Sequence, residues 1–295
     1  MPIESPVPPG SVQADDKPRD SELDLFGLTH VGKVRKANQD HYLLCTVHPH
    51  VMVRSTSLPA AESLPLLGER MATVMLVADG VGGNAGGAEA SQLAVEAITS
   101  YVSKTLRCYH AAGTTDEGEF EEALRTAANA AHHAVREAAA AQVEPTKGAT
   151  TMTLTFVIWP WVYVVQVGDS RCYKYLNGEL RQITRDQTMA QALVDQGALP
   201  ADKMAQSPFS HVLTSAIGGE ESTPVVSRFE IHDRDSVVFL CSDGLTKHVT
   251  NDEIADYLGR MTGSQQVCEA LLELALERGG SDNITILAGH APGPR

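Results

Sequence analysis

Met71-Ala72-Thr73-Val74-Met75-Leu76-Val77-Ala78 runs straight into Asp79-Gly80-Val81-Gly82-Gly83. Such an almost wholly apolar run reads as a strand buried on both faces. It delivers a carboxylate to the end of a core strand. Glycines at three of the next four positions let the backbone turn sharply and approach a ligand with no Cβ in the way. That geometry suits a hard metal ion, which takes carboxylate and backbone carbonyl oxygens. It equally suits an ordinary Asp-Gly turn.

The pattern recurs at three more strand edges. Val162-Tyr163-Val164-Val165-Gln166-Val167 leads into Gly168-Asp169-Ser170-Arg171. Val237-Val238-Phe239-Leu240-Cys241 leads into Ser242-Asp243-Gly244, and Gly280-Ser281-Asp282-Asn283 precedes Ile284-Thr285-Ile286-Leu287-Ala288. Aspartates gathered at one rim without a counter-ion would each cost several kcal/mol. Together that rivals a total folding stability of roughly 5–15 kcal/mol. They therefore either point apart into water or share cations, and the glycine beside each favours sharing.

The chain has 295 residues, 43% of them hydrophobic, enough for a sizeable core. No linker interrupts the alternation of strands and helices after residue 24, so one domain over 25–290 is expected. Residues 1–24, with Pro2, Pro6, Pro8, Pro9 and Pro18 followed by acids, read as a disordered tail. Residues 291–295 read as a short loose end. A net charge of −14 argues against a general nucleic-acid binder. The five cysteines include no Cys-x-x-Cys pair, which fits reduced thiols in a cytoplasmic protein. No apolar run approaches the ~18 residues of a membrane span. A soluble monomer is the expected state.

Along the folded part, Arg35 stands shortly before Asp40 in a segment with turn character. Either the two form a surface ion pair, or the guanidinium fork grips a phosphate. Residues 46–70 form an irregular excursion with a short strand expected at Val51-Met52-Val53, and His48 and His50 there lack further partners at ligand spacing. Ala90, Leu93, Ala94, Ala97, Ile98, Tyr101 and Val102 form one helical stripe. Phe120, Ala123, Leu124, Ala127, Ala131, Ala134, Val135 and Ala138 form a second, whose alanines permit close helix approach. His132 and His133 are adjacent and must point to different sides.

Strands are expected from Thr151 to Ile158 and from Val162 to Val167, joined at Trp159-Pro160-Trp161. Asn177-Gly178 is a strong hairpin signal between Arg171–Leu176 and Glu179–Ile183. A helical segment starts at Thr184 and ends near Gly197, a flap extends to Leu213, and helices follow near Asp252–Leu258 and Gln265–Glu277. Hairpin-linked strands with paired helices between them suggest an α+β, four-layer α/β/β/α sandwich of two mainly antiparallel sheets. A doubly wound sheet is also compatible with the pattern.

Taken in order, Arg35 to Asp40, Asp79 to Gly83, Gly148 to Thr151, Gly168 to Arg171, Leu213 to Gly219, Ser242 to Gly244 and Asp282-Asn283 resemble the motif series of the metal-dependent type 2C serine/threonine protein phosphatases, in the compact bacterial form. The resemblance covers residues 25–290 and implies the four-layer sandwich with two Mn²⁺ or Mg²⁺ ions at one edge of the paired sheets. It implies that Asp79 bridges both metals, that the Gly80 carbonyl binds the second, and that Asp243 and Asp282 bind the first. Asp169, with Asp243, resembles the position of a weaker third metal. Arg35 would hold the substrate phosphate, while Gln39, Asp40, Thr150 and Asn283 resemble supporting positions. Two hard cations generate a bridging hydroxide near neutral pH and offset phosphoryl charge during in-line attack. Phosphorylated proteins, and a cognate serine/threonine kinase acting on them, are the partners implied.

Two departures from the family pattern stand out. Gln39 occupies a position where many members have Glu, which removes a charge near the second metal. Val81 occupies a position where animal members often carry a His as candidate general acid, as bacterial members commonly do not. One rival reading is a pseudophosphatase that binds phosphoproteins without turnover, whose signature would be lost carboxylates. Another is a hydrolase of small phosphate esters.

Overall fold

The structure, a computed structural model, describes residues 17–50, 52, 53, 55, 57, 66–82, 86–111, 117–141 and 148–293. The apolar run forms strand β3 (Ala72–Ala78), every residue of which is buried. Its alternate side chains serve two different cores. Val74 and Leu76 join a cluster under two long helices, while Met75 and Val77 join one that separates two sheets.

In chain order the strands are β1 (Asp24–His30), β2 (His41–Val47), β3, β4 (Gly80–Val81), β5 (Ala149–Thr150), β6 (Met152–Ile158), β7 (Trp161–Val167), β8 (Arg171–Leu176), β9 (Glu179–Gln182), β10 (Val225–Glu230), β11 (Val237–Cys241) and β12 (Ile284–His290). One sheet has the order β1-β12-β11-β8-β9 and the other β10-β7-β6-β3-β2. Every neighbouring pair in them is antiparallel, which removes the doubly wound alternative. β4 and β5 form a separate two-stranded ribbon.

The helices are α1 (Gly86–Ala111), α2 (Glu117–Ala141), α3 (Met189–Asp195), α4 (Asp243–Thr246), α5 (Asn251–Gly259) and α6 (Ser264–Glu277). On α1 and α2 the buried positions Ala90, Ala94, Ile98, Phe120, Leu124, Ala127, Ala131 and Val135 follow the expected stripes and cover β3, β6 and β7. On the other sheet, Val267, Cys268 and Leu271 of α6 and Ile254 and Leu258 of α5 cover Phe239, Ile284 and Ile286. The result is the α/β/β/α sandwich. Among the described residues no helix is long and apolar enough to cross a membrane.

Several local expectations change. Thr184 does not start a helix: Thr188 caps α3 by accepting from the Gln191 amide, and Gln187 instead donates its backbone amide to the Gly168 carbonyl at 3.0 Å. Met52 and Val53 form no strand and Val51 lies outside the described residues; the pairing nearby is an isolated bridge from His50 to Leu67. β10 was not expected. It is an edge strand whose Ser227 and Arg228 interrupt the apolar pattern, and the Arg228 guanidinium lies 4.5 Å from the Trp161 ring centroid. Of the segment read as a tail, residues 1–16 lie outside the described residues. Pro18 and Asp20 are held by Arg70, through the Pro18 carbonyl at 2.8 Å and the Asp20 carboxylate. The Asn177-Gly178 hairpin forms with both residues at positive φ, 50° and 87°. His132 is buried, its Nδ1 accepting from the Gly218 amide at 3.1 Å, and His133 faces out.

Candidate active site

The four aspartates emerge from one edge of the sandwich. Asp79 follows β3 in one sheet; Asp243 and Asp282 follow β11 and precede β12 in the other; Asp169 lies on the crossover from β7 to β8. All four line a single cavity of about 320 Å³, together with Arg35, Gln39, Gly80, Val81, Gly82, His211, Leu213 and Lys247. Gly83, the last glycine of the motif, lies outside the described residues.

Hydrogen bonds between the sequence motifs hold this rim. The Asp79 amide donates to Thr151 Oγ1 at 3.0 Å, and the Asp79 carbonyl accepts from the Thr151 amide at 2.8 Å and from Thr150 Oγ1 at 2.9 Å. Thr150 also exchanges two backbone bonds with Ile217, and Thr151 Oγ1 lies 2.7 Å from Ser170 Oγ, beside Asp169. Asn283 accepts the Gln39 amide at 2.8 Å and donates to the carbonyls of Val31 and Ala37, which pins the Arg35–Asp40 loop. Asp40 Oδ2 accepts from Ser242 Oγ at 2.8 Å and Thr285 Oγ1 at 2.7 Å. Two glycines are required by close approach. A Cβ on Gly80 would lie 2.4 Å from the Gly87 carbonyl, and one on Gly244 would lie 1.8 Å from the Asn283 carbonyl.

Electrostatically the rim is crowded with like charge. Burial raises the Asp79 carboxyl well above the ordinary range, and Asp40, Asp243, Asp169 and Asp282 push the same way. Burial, then Asp243 and Asp186, push Asp169 up to about 8. Asp40 rises to about 6 through burial, partly offset by its hydrogen bonds from Thr285 and Ser242. Asp282 differs. Burial acts on it too, but hydrogen bonds from Arg35 and Lys247 hold it below its usual value.

Arg35 does not pair with Asp40. Its guanidinium fork meets Asp282, Nε to Oδ1 at 2.7 Å and Nη2 to Oδ2 at 2.8 Å. Lys247, on the residue after α4, places Nζ 2.7 Å from both Asp243 Oδ2 and Asp282 Oδ2. His211, from the flap, brings Nδ1 to 4.0 Å from Asp243 Oδ2. Neither Lys247 nor His211 was singled out from the sequence. Lys247 stands one helical turn after Asp243, and that i,i+4 spacing is the signal that could have found it; His211 has none.

The donor set fits hard divalent cations. Asp243 Oδ1 is buried with no hydrogen-bond partner, as is Asp40 Oδ1, and a carboxylate oxygen in that state is unusual unless an ion or water meets it. Among the described residues no three carboxylates close around one point as they stand. The Gln39 side chain instead donates from Nε2 to the Gly82 carbonyl at 3.4 Å and brings no charge.

A family model for protein phosphatase 2C matches residues 67–277. The chain belongs to this family. Among its relatives, the serine/threonine protein phosphatase PstP of Mycobacterium tuberculosis is 33% identical over 218 residues, 73% of this chain but 40% of PstP, so the chain spans less than half of that relative's length. The serine/threonine phosphatase stp of Listeria monocytogenes is 28% identical over 72% of this chain and 82% of its own. The crystal structure of the M. tuberculosis phosphatase superposes with a TM-score of 0.73 at 26% identity, covering 92% of this chain and 99% of that one. A PstP catalytic domain in complex with two manganese ions gives a TM-score of 0.69 at 26% identity, over 91% and 97% of the two chains.

Proposed function

We propose that the chain is a metal-dependent protein serine/threonine phosphatase, hydrolysing phosphoserine and phosphothreonine in proteins. The observation that carries this reading is the convergence of Asp79, Asp169, Asp243 and Asp282 on one open cavity, with a buried, unpartnered Asp243 Oδ1 and the Arg35 guanidinium at its edge. The family and the names of its relatives support the same reaction.

Asp79 and the Gly80 carbonyl would hold two Mn²⁺ or Mg²⁺ ions between them, Asp243 and Asp282 would complete the first, and Asp169 with Asp243 would serve a weaker third. Bound there, paired cations supply water activation and neutralise phosphoryl charge. Arg35 accounts for substrate recognition. Its planar fork, when it leaves Asp282, matches two phosphoryl oxygens. The bonds from Thr150 and Thr151 hold the Asp79 backbone, so its carboxylate needs little reorganisation when charge develops.

Natural substrates are phosphoproteins, with a cognate serine/threonine kinase supplying them. The thiols Cys45, Cys172, Cys241 and Cys268 are free, which supports a reducing, cytoplasmic setting. A pseudophosphatase is disfavoured because the metal carboxylates are all present, although Gln39 weakens the charge offered to the second ion.

The test is hydrolysis of a phosphothreonine peptide by purified protein in EDTA, Mg²⁺ or Mn²⁺, beside Asp79→Asn and Asp243→Asn. Turnover that requires added metal and collapses in both variants is expected. A folded protein with no turnover in any metal would favour the binding-module reading. Turnover of small phosphate esters but not phosphopeptides would move the assignment to the other rival.

A further inference from the structure

The two carboxylates assigned to the first metal are unequally free. Asp282 is saturated: Oδ1 meets Arg35 Nε at 2.7 Å and the Asn283 amide at 2.9 Å, and Oδ2 meets Lys247 Nζ at 2.7 Å and Arg35 Nη2 at 2.8 Å. Asp243 keeps Oδ1 unpartnered and gives Oδ2 to Lys247. One ammonium therefore spans the seat that a divalent ion would take. An ion cannot collect oxygens from both residues until this bridge opens.

We propose that Lys247 is a tethered counter-cation that occupies the Asp243–Asp282 seat in the metal-free protein and must be displaced for metal to bind, so that it sets the affinity of the first site. This rests on the metal-centre reading above and deepens it.

The local structure permits the exchange. Lys247 follows a helix of only four residues, its amide bonded to the Asp243 carbonyl at 2.9 Å, so its backbone is fixed relative to the ligand. Its flexible stem is not. Lys247 lines both the candidate active site and an adjoining cavity of about 240 Å³ that also holds Asp169, Asp186, Met204 and Ser210. Asp186 there is engaged by Arg171 in a two-pronged ion pair, and the cavity gives a displaced ammonium space to turn away from the seat. A compact ammonium on a four-carbon stem suits this exchange better than a rigid guanidinium fork. Without Lys247, Asp243 and Asp282 would repel each other across the seat. The same residue thus steadies the metal-free protein and competes with the ion.

The proposal predicts changes of opposite sign in two measurements on Lys247→Met. Mn²⁺ binding, followed by loss of the free-ion EPR signal, should tighten by about tenfold. In EDTA the melting temperature should fall, while the rise on adding Mn²⁺ should grow. Lys247→Arg, which keeps the charge, should bind Mn²⁺ no more tightly than wild type and melt near it in EDTA. Equal or weaker Mn²⁺ affinity in Lys247→Met overturns the proposal, as does tighter binding with no loss of metal-free stability, which would reveal general charge repulsion only. If the wild-type protein and Lys247→Met both bind no Mn²⁺, the metal-centre reading falls with it. Unchanged affinity in a wild type that binds and turns over leaves that reading intact.

Discussion

The two ends of the sandwich, built from the same strands, solve opposite problems. Where β3 and β11 end and β12 begins, carboxylates crowd together, and burial with mutual repulsion pushes the carboxyls of Asp79, Asp169 and Asp40 above their ordinary range. Where β3 begins and β12 ends, polar and charged groups are matched to partners. Arg70, 7% exposed, meets Asp20 and the Pro18 carbonyl, and Asp24 accepts from His290 at 3.0 Å and from the Ser264 amide at 2.7 Å. One end holds unspent ligand capacity at the expense of stability; the other fastens the chain. Substitutions at the two ends should therefore divide cleanly between activity and stability.

The largest effect belongs to the crowded end. Asp79→Asn and Asp243→Asn should each lower kcat/KM on a phosphothreonine peptide by at least about 10³-fold, roughly 4 kcal/mol. In EDTA Asp79→Asn should not lower the melting temperature, because it removes a buried, repelled charge, whereas Asp243→Asn also gives up the ion pair with Lys247. Loss of activity together with a lower metal-free melting temperature in Asp79→Asn would mean that this carboxylate holds the fold, and the contrast between the ends would disappear.

Arg35 comes next. It is half exposed and engaged with Asp282, so Arg35→Ala should raise KM by about 10–100-fold while leaving melting within a degree or two, since exposed pairs contribute little. Arg35→Lys should recover only part of that, because a point charge cannot form two parallel bonds to phosphate. A fall in kcat with unchanged KM would place Arg35 away from ground-state phosphate binding.

How much of this was legible before any coordinates depends on sequence distance. The apolar run at residues 71–78, the two helical stripes and Asn177-Gly178 are local signals, and each forms as its periodicity or turn chemistry dictates. The four aspartates were visible as strand-end residues, and the topology brings them to one rim. Partner choice was not visible. Arg35 finds Asp282 across 247 positions rather than Asp40 five residues away, and no spacing rule reports that. α4 is too short to show a period, so Lys247 stayed hidden although it is one turn from Asp243. β10 was obscured because an edge strand exposes half its surface and tolerates Arg228 and Ser227.

The pH dependence of stability probes the crowding itself. Asp40, pushed up to about 6, and Asp169, pushed up to about 8, bind protons more tightly folded than unfolded. Between their ordinary values near 4 and these raised values the native state holds the extra protons, so stability falls as pH rises. In EDTA the protein should lose several kcal/mol, on the order of 5, between about pH 5 and pH 8. Asp40→Asn keeps one oxygen to accept from both Ser242 and Thr285 and removes a buried charge, so it should flatten the acidic part of this slope and raise stability near pH 7. A slope of the opposite sign in metal-free protein would show that the rim carboxylates are stabilised as anions.

The smallest effect tests the fastened end. Arg70→Met preserves the buried stem and removes the guanidinium that joins Asp20 and the Pro18 carbonyl to the start of β3. Asp20 is itself half exposed and can return to water, so the loss should be about 1–2 kcal/mol rather than the larger cost of stranding a buried charge. Urea denaturation should report that loss, and kcat, KM and Mn²⁺ affinity should stay at wild-type values, because no residue of this cluster lines the aspartate-rimmed cavity. A change in Mn²⁺ affinity would mean that strain at one end of β3 reaches Asp79 at the other. The wholly buried strand would then couple the two ends, and its rigidity would belong to the active site as much as to the core.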